Sequence, residues 1–277
     1  MPNQVITALL EILSPEIGLS KKRLETLCLI VIGMVSARSV NLSHLACERS
    51  GTVQTASTYR RLQRFLQHVR LDDDWALPLL IRLLGLKGSW LLALNRTNWQ
   101  IGKTEVKYLV LAVVTPRFRV PLVWSLVEGR GCSDTEMRIA QLLNVAAKPL
   151  KGEWLIVVTN VAPSTALETY RKRWAIECLF GDAKTPGLNL EDTRLTDPRK
   201  LGLLMSLVAL ALGWAGRAAA DVPGKYAPPR KSHGYCAKSW FRSGFDYIRN
   251  RLRSNPLEAI EPWQRITFQQ PVTPRVV

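Results

Sequence analysis

The sequence predicts a mixed α/β protein in which a helical N-terminal part precedes a part that contains strands. In residues 1–85 the apolar spacing, capping residues and breaks are those of successive helices. From residue 88 onward, short β-branched or apolar runs are separated by turn residues and predict a three-strand meander. An uncharged run at residues 201–216 then predicts a buried core helix.

The helices of the N-terminal part have the spacing of a helix-turn-helix unit. Residues 24–35 predict an apolar helix, residues 41–47 a short capped helix and residues 55–69 a longer amphipathic helix. One face of the last helix is basic, which is as typical of a solvated surface as of a helix that contacts DNA. The candidate DNA-binding residues on this face are Arg60, Arg61 and Arg64.

The second part predicts strands at residues 90–94, 106–114, 120–127 and 154–160 and helices at residues 134–145 and 239–252. We therefore expect a helical DNA-binding domain over residues 1–85 and a second domain over residues 88–253. Residues 254–277 contain four prolines and few charges, so we expect a poorly ordered tail.

The charge balance indicates an anionic partner. Lys and Arg number 38 against 22 Asp and Glu, which gives a net charge of +16 and a pI near 10.1. Such a charge attracts nucleic-acid phosphate without choosing between DNA and RNA, and it would also suit an anionic membrane. The five cysteines are widely spaced without a CxxC pair, and the three histidines are scattered, so a zinc site and a disulfide framework are not expected.

The uncharged run at residues 201–216 is the segment that invites a membrane interpretation. Its sixteen residues fall short of the roughly 20 that a spanning helix needs, so a buried core helix is the favoured interpretation. The first 17 residues carry acidic side chains and no basic segment typical of a secretory signal. We therefore expect a cytoplasmic protein without a membrane partner.

Four polar residues share one face of a predicted helix in the middle of the chain. Tyr170, Arg173, Glu177 and Lys184 occupy offsets of zero, three, seven and fourteen. At roughly 100° per residue, the last three lie within about 60° of Tyr170, whereas the apolar residues project to the opposite side. A carboxylate among two cations and a phenol suits a reaction at phosphate. An Arg and a Glu four residues apart also form an ordinary weak ion pair on a solvated face.

The complete pattern, Tyr-x2-Arg-x3-Glu-x6-Lys, resembles the YREK motif of DDE transposases of the insertion-sequence-four family. Residues 91–99 are similar to that family's first catalytic strand, and residues 189–198 to the stretch after its glutamate helix. The resemblance implies a ribonuclease-H-like core in which Glu177 is a catalytic metal ligand and Mg²⁺ the expected cofactor. It also implies that Tyr170, Arg173 and Lys184 contact double-stranded DNA at the inverted repeats of transposon ends. Whether the protein forms a homodimer on DNA stays open.

Two departures from the family pattern predict impaired catalysis. Asn95 stands at the position of the first catalytic aspartate, and no aspartate occurs between Glu136 and Asp182, where the second belongs. The chain thus resembles an internally deleted relative with an incomplete ribonuclease-H-like core. Three hypotheses follow: a DNA-binding transposase with impaired catalysis, a working magnesium-dependent transposase, and a helix-turn-helix regulator without catalysis.

Overall fold

The computed structural model describes most of the chain, as successive helices, a sheet, a hairpin and further helices. Structural statements below apply to residues 3–49, 51, 53–72, 74–86, 91–101, 104–115, 118–126, 144–150, 153–159, 174–184, 187–221, 227–232, 234 and 236–268.

The N-terminal part is helical, as the sequence predicts, and its described residues form five helices. They are α1 (Asn3–Leu13), α2 (Lys21–Ala37), α3 (Leu42–Cys47), α4 (Thr55–His68) and α5 (Leu77–Leu84). Of these, α2, α3 and α4 correspond to the three predicted ones. Helix α3 begins where the side chain of Asn41 accepts a hydrogen bond from the Ser43 amide at 3.0 Å, an N-cap that satisfies an otherwise unpaired donor. Helix α2 ends at Arg38, whose left-handed backbone (φ 56°) turns the chain toward α3.

Helix α4 is amphipathic and confirms the predicted second helix of the helix-turn-helix-like unit. Its buried side chains recur at helical spacing, so one face packs on the core. They are Thr58, Leu62, Phe65 and Leu66. Arg60 and Arg64 lie on the opposite face and are exposed. Helix α3 packs against α4, and both contact α2.

Three antiparallel strands follow in the order in which they occur, which confirms the predicted meander. They are β1 (Leu91–Ile101), β2 (Thr104–Val114) and β3 (Arg119–Leu126). Asn95 pairs with Val110, which in turn pairs with Trp124, so these three residues share one face of the sheet. Strand β1 extends beyond the predicted residue 94 because its polar half continues to pair with β2 as far as Ile101 and Thr104.

A second hairpin corrects one predicted helix. Strands β4 (Asn144–Leu150) and β5 (Glu153–Thr159) pair antiparallel, so residues 144 and 145 belong to a strand and not to the end of a helix. The ladder with β5 supplies backbone partners that a local helical pattern cannot foresee. The predicted strand at residues 154–160 is confirmed up to Thr159. The remainder of the predicted helix, residues 134–143, lies outside the described residues.

Helix α6 (Trp174–Ala183) is followed by a 3-10 turn (Leu190–Asp192) and by α7 (Pro198–Asp221). Helix α7 is long and apolar enough to cross a membrane, but 89% of its most apolar 18-residue window is buried inside the protein. It contacts α2, α4, α5 and β3. This burial agrees with the predicted core helix, and it joins the N-terminal helices and the sheet in one apolar core. The division at residues 85–88 stays a prediction.

The expectation of a poorly ordered tail is wrong for residues 256–268. After α8 (Trp240–Ser254), the chain forms α9 (Pro256–Ala259), α10 (Glu261–Gln264) and a 3-10 turn (Arg265–Phe268). Trp263 is fully buried, and its ring meets Trp214 of α7 edge-on, 6.0 Å between centroids. The indole nitrogen of Trp214 donates to the Ala259 carbonyl at 2.9 Å. Buried aromatic surface therefore outweighs the proline content of this segment.

Helices α7 and α8 approach so closely that a glycine is required at their contact. A Cβ added at Gly244 would overlap the Ala215 carbonyl oxygen and lie 2.6 Å from the Ala219 amide nitrogen, both backbone atoms of α7. We expect Gly244→Ala to lower the free energy of unfolding by at least about 2 kcal/mol, because two packed helices would have to separate. Urea denaturation monitored by circular dichroism measures this change.

Gly202→Ala is the matched control for Gly244→Ala. Gly202 also lies within a helix, α7, but nothing lies within 4 Å of a Cβ added there. We expect this variant to be neutral or more stable by roughly 0.5–1 kcal/mol, because alanine favours the helix. Equal effects of the two substitutions would contradict the close approach at Gly244.

Candidate active site

Helix α6 lies against the inner face of the sheet because its apolar side is buried there. Ile176 and Leu179 are buried, and the ring of Phe180 meets Trp99 of β1 edge-on, 6.4 Å between centroids. Trp99 in turn lies 5.2 Å from Tyr108 of β2, whose phenol has a raised pKa because of burial. This aromatic packing fixes the position of α6 along β1.

The sheet and α6 bring Asn95 and Glu177 into direct contact. The side-chain nitrogen of Asn95, Nδ2, donates a hydrogen bond to Oε1 of Glu177, and both residues are half-buried. The other side-chain atom, Oδ1, accepts from the Arg96 amide at 2.9 Å. This second bond orients the amide, because exchanging nitrogen and oxygen would turn an acceptor toward the carboxylate. Residues 82 positions apart in the sequence thus form one charge-assisted pair.

Lys184 follows α6 directly and connects the end of that helix to β1. Its Nζ lies 3.4 Å from Oε1 of Glu191 and donates to the Asn98 carbonyl at 3.3 Å. The same Glu191 oxygen accepts from the Gln100 amide at 3.2 Å. Lys184 and Glu191 are each about 35% exposed, so the ion pair itself contributes little stability. Its effect is to set where the chain leaves α6 relative to β1.

Only part of the predicted polar stripe lies within the residues that the structure describes. Glu177 is in α6 and Lys184 is one residue beyond it, on the side that faces β1. Tyr170 and Arg173 lie outside the described residues. The roles predicted for the four residues at DNA and metal therefore stay predictions.

The donor atoms around Glu177 do not fit a two-metal site. Such a site needs several carboxylate oxygens to hold two divalent ions about 3.5–4 Å apart. Here the side chain that β1 brings to Glu177 is an amide that presents its N–H, and an N–H cannot coordinate a cation. Within the described ranges, no three His, Cys, Asp or Glu side chains are grouped as metal ligands.

The three candidate arginines of α4 differ in their contacts with the rest of the protein. Arg61 donates to Oγ1 of Thr26 at 2.8 Å and to the Lys22 carbonyl at 3.0 Å, and it pairs with Glu25 at 3.1 Å. The hydrogen bond from Arg61 lowers the pKa of the Glu25 carboxyl below its ordinary value. Arg61 therefore fixes α4 to α2, whereas Arg60 and Arg64 are exposed.

Sequence reasoning missed two side chains that position this region, Glu191 and Arg199. Arg199 of α7 donates to the carbonyls of Leu66 and Gln67 at 3.1 Å and of Val69 at 3.2 Å. It thereby satisfies acceptors at the C-terminal end of α4, where a cation is also favoured by the helix dipole. No local sequence signal marks either contact, since the partners are distant in the chain.

Comparison with known protein families gives a match that covers the candidate site. A family model described as a transposase DDE domain matches residues 35–214, well over half of the chain. The matched residues run from the end of α2 into α7, so they include β1 with Asn95 and α6 with Glu177. No curated protein matches the chain.

The contact between Asn95 and Glu177 predicts a pH-dependent effect of Asn95→Asp. We expect this substitution to lower the free energy of unfolding by about 1–3 kcal/mol at neutral pH, because a charge-assisted hydrogen bond is replaced by repulsion between two carboxylates. Repulsion raises the pKa of the new carboxyl group above its unfolded value, so the folded state binds more protons. The loss should therefore shrink as the pH falls from neutral through this raised pKa, and it should be smallest below the ordinary aspartate pKa of about 4. Urea denaturation across pH measures it.

Asn98→Asp is the control for Asn95→Asp on the same strand. The side chain of Asn98 also donates to a glutamate, Glu105, at 2.9 Å, but this pair is exposed to solvent. We expect a loss below about 1 kcal/mol, because water screens the two charges. If Asn95→Asp were no more destabilising than Asn98→Asp at neutral pH, the half-buried contact with Glu177 would be refuted.

Proposed function

Because this chain belongs to the transposase DDE domain family, whose members act on DNA in transposition and generally use divalent metal ions, we propose that it is a DNA-binding transposase with impaired catalysis. The contact between Asn95 and Glu177 carries this proposal. By resemblance to the insertion-sequence-four family, the motif Tyr-x2-Arg-x3-Glu-x6-Lys assigns the third catalytic carboxylate to Glu177, and the similarity of residues 91–99 to the first catalytic strand assigns the first to the position of Asn95.

The chemistry of this contact supports impairment at the first carboxylate. In the family pattern, an aspartate and Glu177 would present two negative groups to each other, which a cation between them would balance. Asn95 is neutral and offers Glu177 a hydrogen-bond donor instead. The carboxylate is thus satisfied without a metal ion, and the pair has lost one of the charges that would attract one.

The absence of a second aspartate supports the same conclusion independently. No aspartate occurs between Glu136 and Asp182, and the chain passes from the β4–β5 hairpin to α6 within a short interval. We infer an internal deletion that removed the second aspartate. A phosphoryl-transfer site that lacks two of three carboxylates cannot hold two ions in the required geometry.

DNA binding is still supported, although catalysis is not. The net charge of +16 favours phosphate, and the exposed Arg60 and Arg64 extend from a helix-turn-helix-like unit. We propose double-stranded DNA with the inverted repeats of a transposon end as the partner, and the cytoplasm as the location. Such a protein would occupy transposon ends without cutting them.

Two other functions use the same residues differently. A working magnesium-dependent transposase would need ligands for Glu177 from residues outside those that the structure describes. A helix-turn-helix regulator without catalysis would need only α3 and α4. The regulator would be favoured if Arg173→Ala and Lys184→Ala left both DNA affinity and its salt dependence unchanged.

A cleavage assay on a duplex with the terminal inverted repeat tests the proposed function. We expect the purified protein to retard this duplex on a gel and to produce no nicks with Mg²⁺ or Mn²⁺. We also expect Asn95→Asp to leave cleavage undetectable, because the second aspartate is still missing. The sequence of this duplex would be taken from inverted repeats located in the DNA on either side of the gene.

The Glu177→Ala variant is the control for this assay. Any nicking by the unchanged protein that depends on metal and disappears in Glu177→Ala would establish the working transposase instead. Failure of the unchanged protein to bind any duplex at low salt would remove the DNA-binding part of the proposal.

A further inference from the structure

A cleft separates α3 and α4 from the segment at residues 192–200, which follows the 3-10 turn. Its volume is about 390 Å³, within the range of roughly 300–1,000 Å³ in which proteins bind small groups. The cleft lies beside the basic face of α4 and is distinct from the contact between Asn95 and Glu177. Neither the family match nor the Tyr-x2-Arg-x3-Glu-x6-Lys motif assigns a ligand to it.

The rim of the cleft is cationic. Arg64, Arg194 and Lys200 line it, and none of the three forms an ion pair with any residue that the structure describes. Two acids lie nearby. The Asp192 carboxylate accepts from the side chain of Asn41 at 3.1 Å, and the Asp197 carboxylate accepts from the Lys200 backbone amide at 3.0 Å. Asp192 also lines the cleft, so its lining has three positive charges against one negative charge and remains attractive to an anion.

The wall of the cleft is apolar and carries one aromatic ring. Leu66 is fully buried, whereas Tyr59 and Leu195 are partly buried and pack against the core. All three line the cleft. A phosphate alone would not use this apolar surface, and an apolar ligand alone would leave the three cations unmatched.

The two sides of the cleft are held together by a half-buried arginine. Arg199 starts in α7, on the side of residues 192–200, and donates to three carbonyls at the end of α4. Because its guanidinium is used in these bonds, Arg199 fixes the width of the cleft and does not serve as a ligand. A site with fixed walls loses less entropy when a ligand binds.

We propose that this cleft holds one unstacked nucleotide of the bound DNA. The phosphate lies on Arg64, Arg194 and Lys200, and the base lies against Tyr59 and Leu195. Cations that follow the backbone together with an aromatic ring for the base are the usual means of binding a single strand. The inference rests on the proposed DNA-binding function and deepens it by naming the part of DNA that is recognised.

A neighbouring cleft gives the strand a path across α4. It is about 690 Å³ in volume and lies between α2 and α4. Arg64 and His68 line both clefts, and Arg60 and Arg23 add charge to the second one. A strand can therefore place one nucleotide in the first cleft while adjacent phosphates continue along the second.

Binding of fluorescent oligonucleotides of equal length tests the proposal, with a duplex compared to a duplex that has a central single-stranded gap. We expect the gapped DNA to bind more tightly than the intact duplex. Tyr59→Leu should weaken binding of the gapped DNA about tenfold, with an unchanged salt slope, because it removes stacking and no charge. Tyr59→Phe keeps the ring and should bind like the unchanged protein. Leu195→Ser alters the same wall and should also weaken binding of the gapped DNA selectively.

A second experiment tests the proposed phosphate contacts with a double variant, Arg194→Gln combined with Lys200→Gln. We expect the slope of log affinity against log salt to decrease in magnitude by about 1.4–1.8, because two phosphate contacts are lost. Arg230→Gln with Lys231→Gln removes the same charge from two exposed residues that line neither cleft, and should leave the slope nearly unchanged.

Three results would overturn the proposal. In the first, Tyr59→Leu and Leu195→Ser have unchanged urea midpoints, but they do not weaken binding of the gapped DNA selectively. Their affinities for gapped and intact DNA either equal those of the unchanged protein or fall by the same factor. In the second, the Arg194 and Lys200 variant matches the Arg230 and Lys231 control. The proposed function survives either result. In the third, the unchanged protein binds neither oligonucleotide, and the inference fails together with the proposed DNA-binding function.

Discussion

The requirement to shield α7 from water organises the whole molecule. The sixteen residues of its uncharged stretch are almost all apolar, so their burial supplies a large part of the hydrophobic stabilisation. The N-terminal helices cover one side, β3 another, and α8 with the short C-terminal helices closes the remainder. Gly244 permits the closest of these approaches, and Trp263 fills the space beside Trp214.

This arrangement also explains how the candidate site is held in position. The sheet rests on α7 through β3, and α6 rests on the sheet through Phe180 and Trp99. Glu177 is therefore placed by packing that does not depend on a metal ion. A hydrogen bond from Asn95 also satisfies one oxygen of its carboxylate. Under the function proposed above, the fold would be retained while its chemistry is lost.

The sequence predicts those features that depend on local pattern. The amphipathic α4, the meander and the core helix α7 follow from periodicity, turn residues and the length of an uncharged run. Features that depend on distant partners were not predictable. Strand β4 is stabilised by its pairing with β5, and the helices at residues 256–268 are stabilised by the contact between Trp263 and Trp214 of α7. The contact between Asn95 and Glu177 was implied by resemblance alone, and the roles of Glu191 and Arg199 had no local signal.

The central claim is that the side chain of Asn95 leaves no divalent-ion site at Glu177. Electron paramagnetic resonance during titration of Mn²⁺ into the purified protein tests this claim directly, because the signal of the free ion decreases when the ion is bound. We expect the titrations of the unchanged protein and of Glu177→Ala to coincide, without a saturable site that depends on Glu177. One stoichiometric site in the unchanged protein that disappears in Glu177→Ala would contradict it.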